Sequence, residues 1–313
     1  MAALSSLRQL RYLVALAERL NFTQAAQDCF VTQSTLSAGL MELESTLGAR
    51  LVEREKHRVL FTPLGEDITN RARQILALAE DLSRVAASAA DPMAGVVRLG
   101  VIPTIAPFLL PSILPSLRKA HPKLQFALRE DLTANLLSRL QQGQLDFALI
   151  ALPYDTGNLL VRELFKEELW LVTPPGEKTP RRLQVANINA ERLLLLEEGH
   201  CLRGHTLEGC GLAPKQGQGM EATSLFTLVQ MIEEGMGLGL LPEMTLRAGL
   251  LKNSKLIAQP FAASAPQRGI ALVARQSTAR KPAFDMLGDS IVAEHRAAHA
   301  AKLGVRKRRV KPE

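Results

Sequence analysis

From Leu4 to Leu20 the apolar positions Leu7, Leu10, Tyr12, Leu13, Leu16, Ala17 and Leu20 return at three and four places, which predicts an amphipathic helix. Asn21 or Thr23 caps a short second helix, whose small residues Ala25 and Ala26 let a neighbour approach closely. A third helix starts after Thr32 and runs to Gly48, burying Leu36, Leu40, Leu43 and Leu47 and turning Gln33, Ser34, Ser37 and Met41 outward. Together they read as a helix-turn-helix whose last helix offers Gln33, Ser34, Thr35 and Ser37 to base edges in a DNA major groove. Two short strands around a charged turn follow, in LVEREKHRVLFT. Arg54, Lys56 and Arg58 near its tip suit backbone phosphates, so this hairpin reads as the wing of a winged helix.

Thr62 and Pro63 open another helix, expected to run to Ala90 with Leu64, Ile68, Ala72, Ile75, Leu78, Leu82 and Val85 on one stripe. At roughly 1.5 Å per residue it spans about 40 Å, more than a small domain covers by itself, and it is expected to pair with its copy in a dimer. Asp91-Pro92-Met93-Ala94-Gly95 breaks this helix and forms a hinge. Beyond it the period changes: short apolar runs (VVRLGVI, LQFALRE, LDFALIA, ELWLV, LLLLEE, LGLLP, RGIALVA) alternate with helical stretches. That order predicts a parallel sheet with helices on both faces, in two lobes with a ligand cleft at the strand ends. The fold class is α/β, with a winged helix-turn-helix over 1–62, a linker helix over 63–90, a two-lobed regulatory domain over 91–301 and a basic tail over 302–313.

A chain of 313 residues exceeds one ordinary core, in keeping with that division. The net charge of +7 sits mostly at the end, where six Lys/Arg face one Glu from Lys302 onward, and this tail is expected to be disordered. No run reaches the roughly 18 uncharged apolar residues of a membrane span, and no leader is read, so the cytoplasm is the expected location. Three cysteines fit a reducing compartment, in which a disulfide is transient and functional. A Walker loop, an H-E-x-x-H helix and a dinucleotide fingerprint are all missing; no cofactor and no enzyme class gains support.

Candidate chemistry centres on residues 199–210, GHCLRGHTLEGC. Cys201 follows His200 and precedes Arg203 by two places, and both groups favour the thiolate, which is the reactive form of the side chain. Glu197 and Glu198 act against it. Cys210, between Gly209 and Gly211, has the flexible setting of a resolving cysteine. Two other readings stand at this point: unrelated buried cysteines, or a zinc site from His200, Cys201, His205 and Cys210, although zinc ligands are usually spaced as C-x-x-C.

LRQLRYLVALAERLNFTQAA, TQSTLSAGLMELESTLGARLVERE and FTPLGE resemble the N-terminal signature of the LysR-type transcriptional regulators, and the similarity extends over nearly the whole chain. GVIPTIAPFLLP, GHCLRGHTLEGC, ATSLFTLVQMIEEGMGLGLLP and RGIALV are similar to the peroxide-sensing branch of that family. The resemblance implies a periplasmic-binding-protein-like regulatory domain, a homotetramer built from dimers, and a double-stranded DNA operator. RNA polymerase and a glutaredoxin- or thioredoxin-type reductant are its implied further partners. It also implies that Cys201 is the peroxidatic thiol and Cys210 the resolving one, and that Thr104, Thr133, His200 and Arg268 lie around Cys201 and hold hydrogen peroxide and its leaving oxygen. Hydroxyls and a guanidinium are suitable donors to a departing hydroxide. The recognition helix departs from the family pattern at Ser34, where relatives often carry proline, and at Gly39, Leu40, Met41 and Glu42, where they carry Gln, Ile and basic residues. Affinity is therefore expected to rest on Gln33, Thr35, Ser37 and the wing. Two competing functions are a regulator of the same family responding to a small metabolite in the cleft, and a thiol peroxidase with an accessory helical domain.

Overall fold

A computed structural model describes residues 5–55, 58–88, 93–212 and 220–300, which form two compact units. In the first, Ser6 opens α1 (Leu7–Arg19) with a capping box: its side chain accepts from the Gln9 N–H, and the Gln9 side chain accepts from the Ser6 N–H. Asn21 caps α2 (Phe22–Asp28), Thr32 caps α3 (Gln33–Leu47), and Gly48 ends α3 in the left-handed conformation. Leu13, Leu16, Leu36 and Leu43 close with Ala25 and Ala26 into one core. Leu47 is exposed, contrary to the sequence pattern, because it lies past the last turn of α3 that this core covers.

β1 (Val52–Glu55) and β2 (Arg58–Phe61) pair antiparallel as the expected wing. Thr62 then caps α4 (Pro63–Ser88) by accepting from the Gly65 N–H. Its predicted single stripe divides in two. Ile68, Ala72 and Leu76 pack on the core of this unit, whereas Ile75, Leu78 and Leu82 are exposed. Lys56, residues 91–92 of the 91–95 hinge and the 302–313 tail lie outside the described residues.

The second unit starts with β3 (Gly95–Val101), α5 (Ala106–Ala120), β4 (Leu124–Glu130), α6 (Thr133–Gln141) and β5 (Phe147–Leu152), in which β3 pairs parallel with both β4 and β5. β6 (Leu160–Thr173) runs on for 14 residues into a second lobe. That lobe holds β7 (Leu195–Leu196), α7 (Cys201–Gly209), β8 (Glu221–Ala222), α8 (Leu225–Glu233), β9 (Gly239–Pro242), α9 (Glu243–Arg247) and β10 (Ile257–Gln259). β11 (Gln267–Ala274) and α10 (Lys281–Ala300) return to the first. The main sheet has the order β10-β6-β11-β5-β3-β4, with β9 also on β6.

The expectation of a parallel sheet is corrected here. β11 runs antiparallel to β5 and β6, as β9 and β10 do to β6, so the sheet is mixed. An apolar run shows that a strand is buried but carries no information on its direction. β6 is also longer than the ELWLV segment, because LVRELFKE has paired rather than alternating apolar residues; a register shift between Ile270 and Ala271 of β11 lets the ladder absorb the irregular stretch. Conversely, LLLLEE supplies only the two-residue β7.

Candidate functional site

Gly199, at φ 93°, turns the chain so that His200 caps α7 and Cys201 opens it, which brings the first backbone N–H groups of the helix to the sulfur. The two neighbours in sequence contribute little charge. His200 is buried, and burial holds its imidazole below the ordinary value although Glu197 lies 3.8 Å away. Arg203 points elsewhere, donating to Glu221 Oε1 at 2.6 Å and to Leu196 O at 3.0 Å. The expectation that these two groups favour the Cys201 anion is therefore corrected: one is held toward its neutral form and the other is occupied.

Support for the anion comes from other elements. Burial pushes the Cys201 thiol up, while the charge of Arg268, a hydrogen bond from Thr133 and the backbone N–H groups of Leu202 and Cys201 pull it back. Arg268, on β11, is fully buried and donates from Nη1 to Thr104 Oγ1 at 2.7 Å and from Nη2 to Thr104 O at 3.2 Å. Its Nε donates to Glu167 Oε1 at 2.8 Å. Thr133, at the start of α6, holds a buried hydroxyl with no oxygen or nitrogen partner, which leaves it free to serve the sulfur. The structure thus brings Thr104, Thr133, Cys201 and Arg268 together from four elements or their ends, with His200 next in the chain.

Two residues here were not singled out by the sequence reading. Glu167 shows only as an acid within the apolar run of β6, yet the ladder places it directly opposite Arg268. His205, considered before only as a zinc ligand, is buried with Nε2 3.2 Å from Pro153 O and with Nδ1 unpartnered. Burial keeps it below its ordinary value, against the Pro153 hydrogen bond and with help from the charge of Arg268. Among the described residues no three His, Cys, Asp or Glu side chains converge to hold a metal, and the four proposed zinc ligands are spread along α7 from cap to cap.

Cys210 caps the other end of α7 rather than sitting in an open loop. Burial alone pushes its thiol up to about 11. Nine helical steps separate the two cysteines by roughly 13 Å along the axis. Cys201 packs against the core of the first lobe and Cys210 against that of the second; both are free thiols, as is Cys29 at the end of α2.

In the first unit Gln33, Ser34 and Thr35 are exposed at the start of α3, and Ser37 is half-buried. The Thr23 hydroxyl donates to Gln33 Oε1 at 3.1 Å, and the Thr32 hydroxyl bonds those of Ser34 and Thr35 at 2.9 and 2.8 Å, so this polar face is locally ordered. Arg54 and Arg58 belong to the two wing strands, opposite Val59 and Glu55. Among the described residues no helix is long and apolar enough to cross a membrane.

Residues 90–296 match the LysR substrate binding domain, and residues 7–66 match the bacterial regulatory helix-turn-helix protein of the lysR family. The chain is 45% identical over 292 residues to the transcriptional regulator EstR of Acinetobacter baylyi, covering 92% of this chain and 97% of that one. It is 35% identical over 289 residues to the dual regulator OxyR of Escherichia coli, covering 91% and 94%. Among solved structures, a full-length OxyR variant from Pseudomonas aeruginosa superposes with a TM-score of 0.76 at 33% identity, over 92% of this chain and 95% of that one. A peroxide-bound OxyR mutant from Corynebacterium glutamicum gives 0.64 at 29%, over 98% and 100%.

Proposed function

The chain belongs to the LysR family of transcriptional regulators and is OxyR-like in sequence and fold, and from that premise we propose that it senses hydrogen peroxide through Cys201. The observation that carries the reading is the cluster of Arg268, Thr104 and Thr133 around a helix-opening cysteine, with a second thiol one short helix away. The Cys201 thiolate attacks one peroxide oxygen, the O–O bond breaks, and the other oxygen leaves as hydroxide, for which Thr133 and Arg268 are donors. The resulting sulfenic acid condenses with the Cys210 thiol, giving a disulfide and water. A disulfide needs Cα atoms within about 7 Å, so α7 must unwind to close the gap, and that refolding is the signal. A dithiol reductant of the thioredoxin or glutaredoxin type returns both thiols.

In this reading the protein is cytoplasmic and binds a double-stranded operator through Gln33, Ser34, Thr35 and Ser37, with Arg54, Lys56 and Arg58 of the wing on phosphates. Two α4 helices join a dimer, two dimers make the tetramer, and the oxidised form alters its contact with RNA polymerase. A second reading is favoured by the same donor set: Arg268 flanked by two threonines also suits the carboxylate of a small metabolite.

The deciding experiment is a stoichiometric peroxide pulse followed by mass mapping of wild type, Cys201→Ser and Cys210→Ser. Wild type should give one 201–210 disulfide, Cys210→Ser a dimedone-trapped sulfenic acid at Cys201, and Cys201→Ser no change. Equal trapping at both positions, or an unreacted wild type that still responds to a metabolite, would overturn the proposal.

A further inference from the structure

Resting on that reading, we propose that Glu167 sets how readily Cys201 ionises, acting through Arg268 as a positioning and charge-balancing residue. Arg268 and Glu167 face each other across the β6–β11 ladder, and their side chains are 0% and 1% exposed. Nε and Nη2 both lie against Glu167 Oε1, at 2.8 and 2.6 Å, while Nη1 donates to the Thr104 hydroxyl and Nη2 also reaches Thr104 O. The carboxylate is itself fixed, because Glu167 Oε2 accepts from the Met244 N–H of α9 at 3.0 Å. It cannot swing away from Arg268 without leaving that buried N–H unpaired.

The charge that acts on the Cys201 sulfur, that of Arg268, therefore belongs to a buried ion pair and not to a lone cation. In a weakly polarisable interior the negative end of such a pair removes a good part of the attraction. Of the other charged groups near the site, Glu197 lies 3.8 Å from His200 but is half-exposed to water, and the rest are neutral or occupied. His200 and His205 on α7 are held toward their neutral forms. Arg203 is paired with Glu221, and Asp131, just before α6, with Arg129 and Asn135. Glu243, next to Met244, is bound by Arg247 with His299 nearby. Glu167 is the acid that faces Arg268, and it acts as a restraint on Cys201, keeping the thiol less acidic than Arg268 alone would make it.

The test uses the full chain with Cys29→Ser and Cys210→Ser, so that the rate of iodoacetamide alkylation against pH reports Cys201 alone. Glu167→Gln should lower the midpoint of that profile by about one pH unit, whereas Glu167→Asp, which keeps the charge, should leave it near wild type. Should Glu167→Gln fail to fold, Arg268→Gln is compared with the Arg268→Gln/Glu167→Gln pair, and the double variant should show the lower midpoint. A role confined to holding strands together would lower the melting temperature and leave the midpoint in place. An unmoved or raised midpoint, or an Asp variant that shifts as far as the Gln variant, overturns the proposal. Alkylation needs no peroxide, so a Cys201 that proves inert to peroxide would sink the peroxide-sensing function while leaving this measurement intact.

Discussion

Thr133 shows how a single side chain is poised for a charge that is not yet there. A buried hydroxyl without an oxygen or nitrogen partner costs up to about 1–3 kcal/mol, and a thiolate forming beside it is a far better acceptor than the thiol. Thr133→Val should therefore slow the reaction of Cys201 with peroxide roughly tenfold, about 1.4 kcal/mol of transition-state support. It should leave the melting temperature unchanged or raise it, since an unsatisfied polar group is lost. A normal rate in stopped flow combined with a lower melting temperature would show that the hydroxyl is structural. Cys210 has no comparable helper, since burial alone acts on its thiol.

Among the elements, α7 is short and closely seated: a Cβ on Gly209 would come within 2.6 Å of Pro266 Cβ, so the C-terminal end of the helix depends on having no side chain there. α4 carries a different tension. It satisfies Ile68, Ala72 and Leu76 within its own unit but leaves Ile75, Leu78 and Leu82 in water, an apolar row that a second α4 can cover. Ile75→Asp would then place a carboxylate in that seam, at several kcal/mol unless the helices part. Sedimentation should show smaller species with weak operator binding, and an unchanged assembly at micromolar protein would argue against the seam.

Across the regulatory unit as a whole, buried histidines tie stability to pH. His200, His205 and His295 are all held below their ordinary value by burial, His295 to about 4, with its ring stacked 3.6 Å from that of Phe165. Well above pH 7 these rings are neutral in both folded and unfolded chains and have no effect. As pH falls below about 6.5 the unfolded chain takes up protons that the folded one refuses, so stability drops by up to roughly 1.4 kcal/mol per pH unit for each such ring until its folded value is passed. Calorimetry from pH 7 to 4.5 should show a falling melting temperature, with His295→Phe less sensitive than wild type; a flat profile would contradict this. Periodicity, caps and the apolar–polar order were enough by themselves to determine the helix-turn-helix, the wing, the start of α4 and the alternation of strands and helices, because these depend on residues a few places apart. The GHCLRGHTLEGC segment likewise marked the two thiols. Only the tertiary structure decided the polarity of β11, the removal of Arg203 to Glu221 and the pairing of Arg268 with Glu167, whereas the gathering of Arg268 and Thr104 at Cys201 was implied by the family resemblance and not by local pattern. Strand direction and the partner of a buried charge are settled by residues about a hundred places apart in the chain, and local pattern carries no record of them.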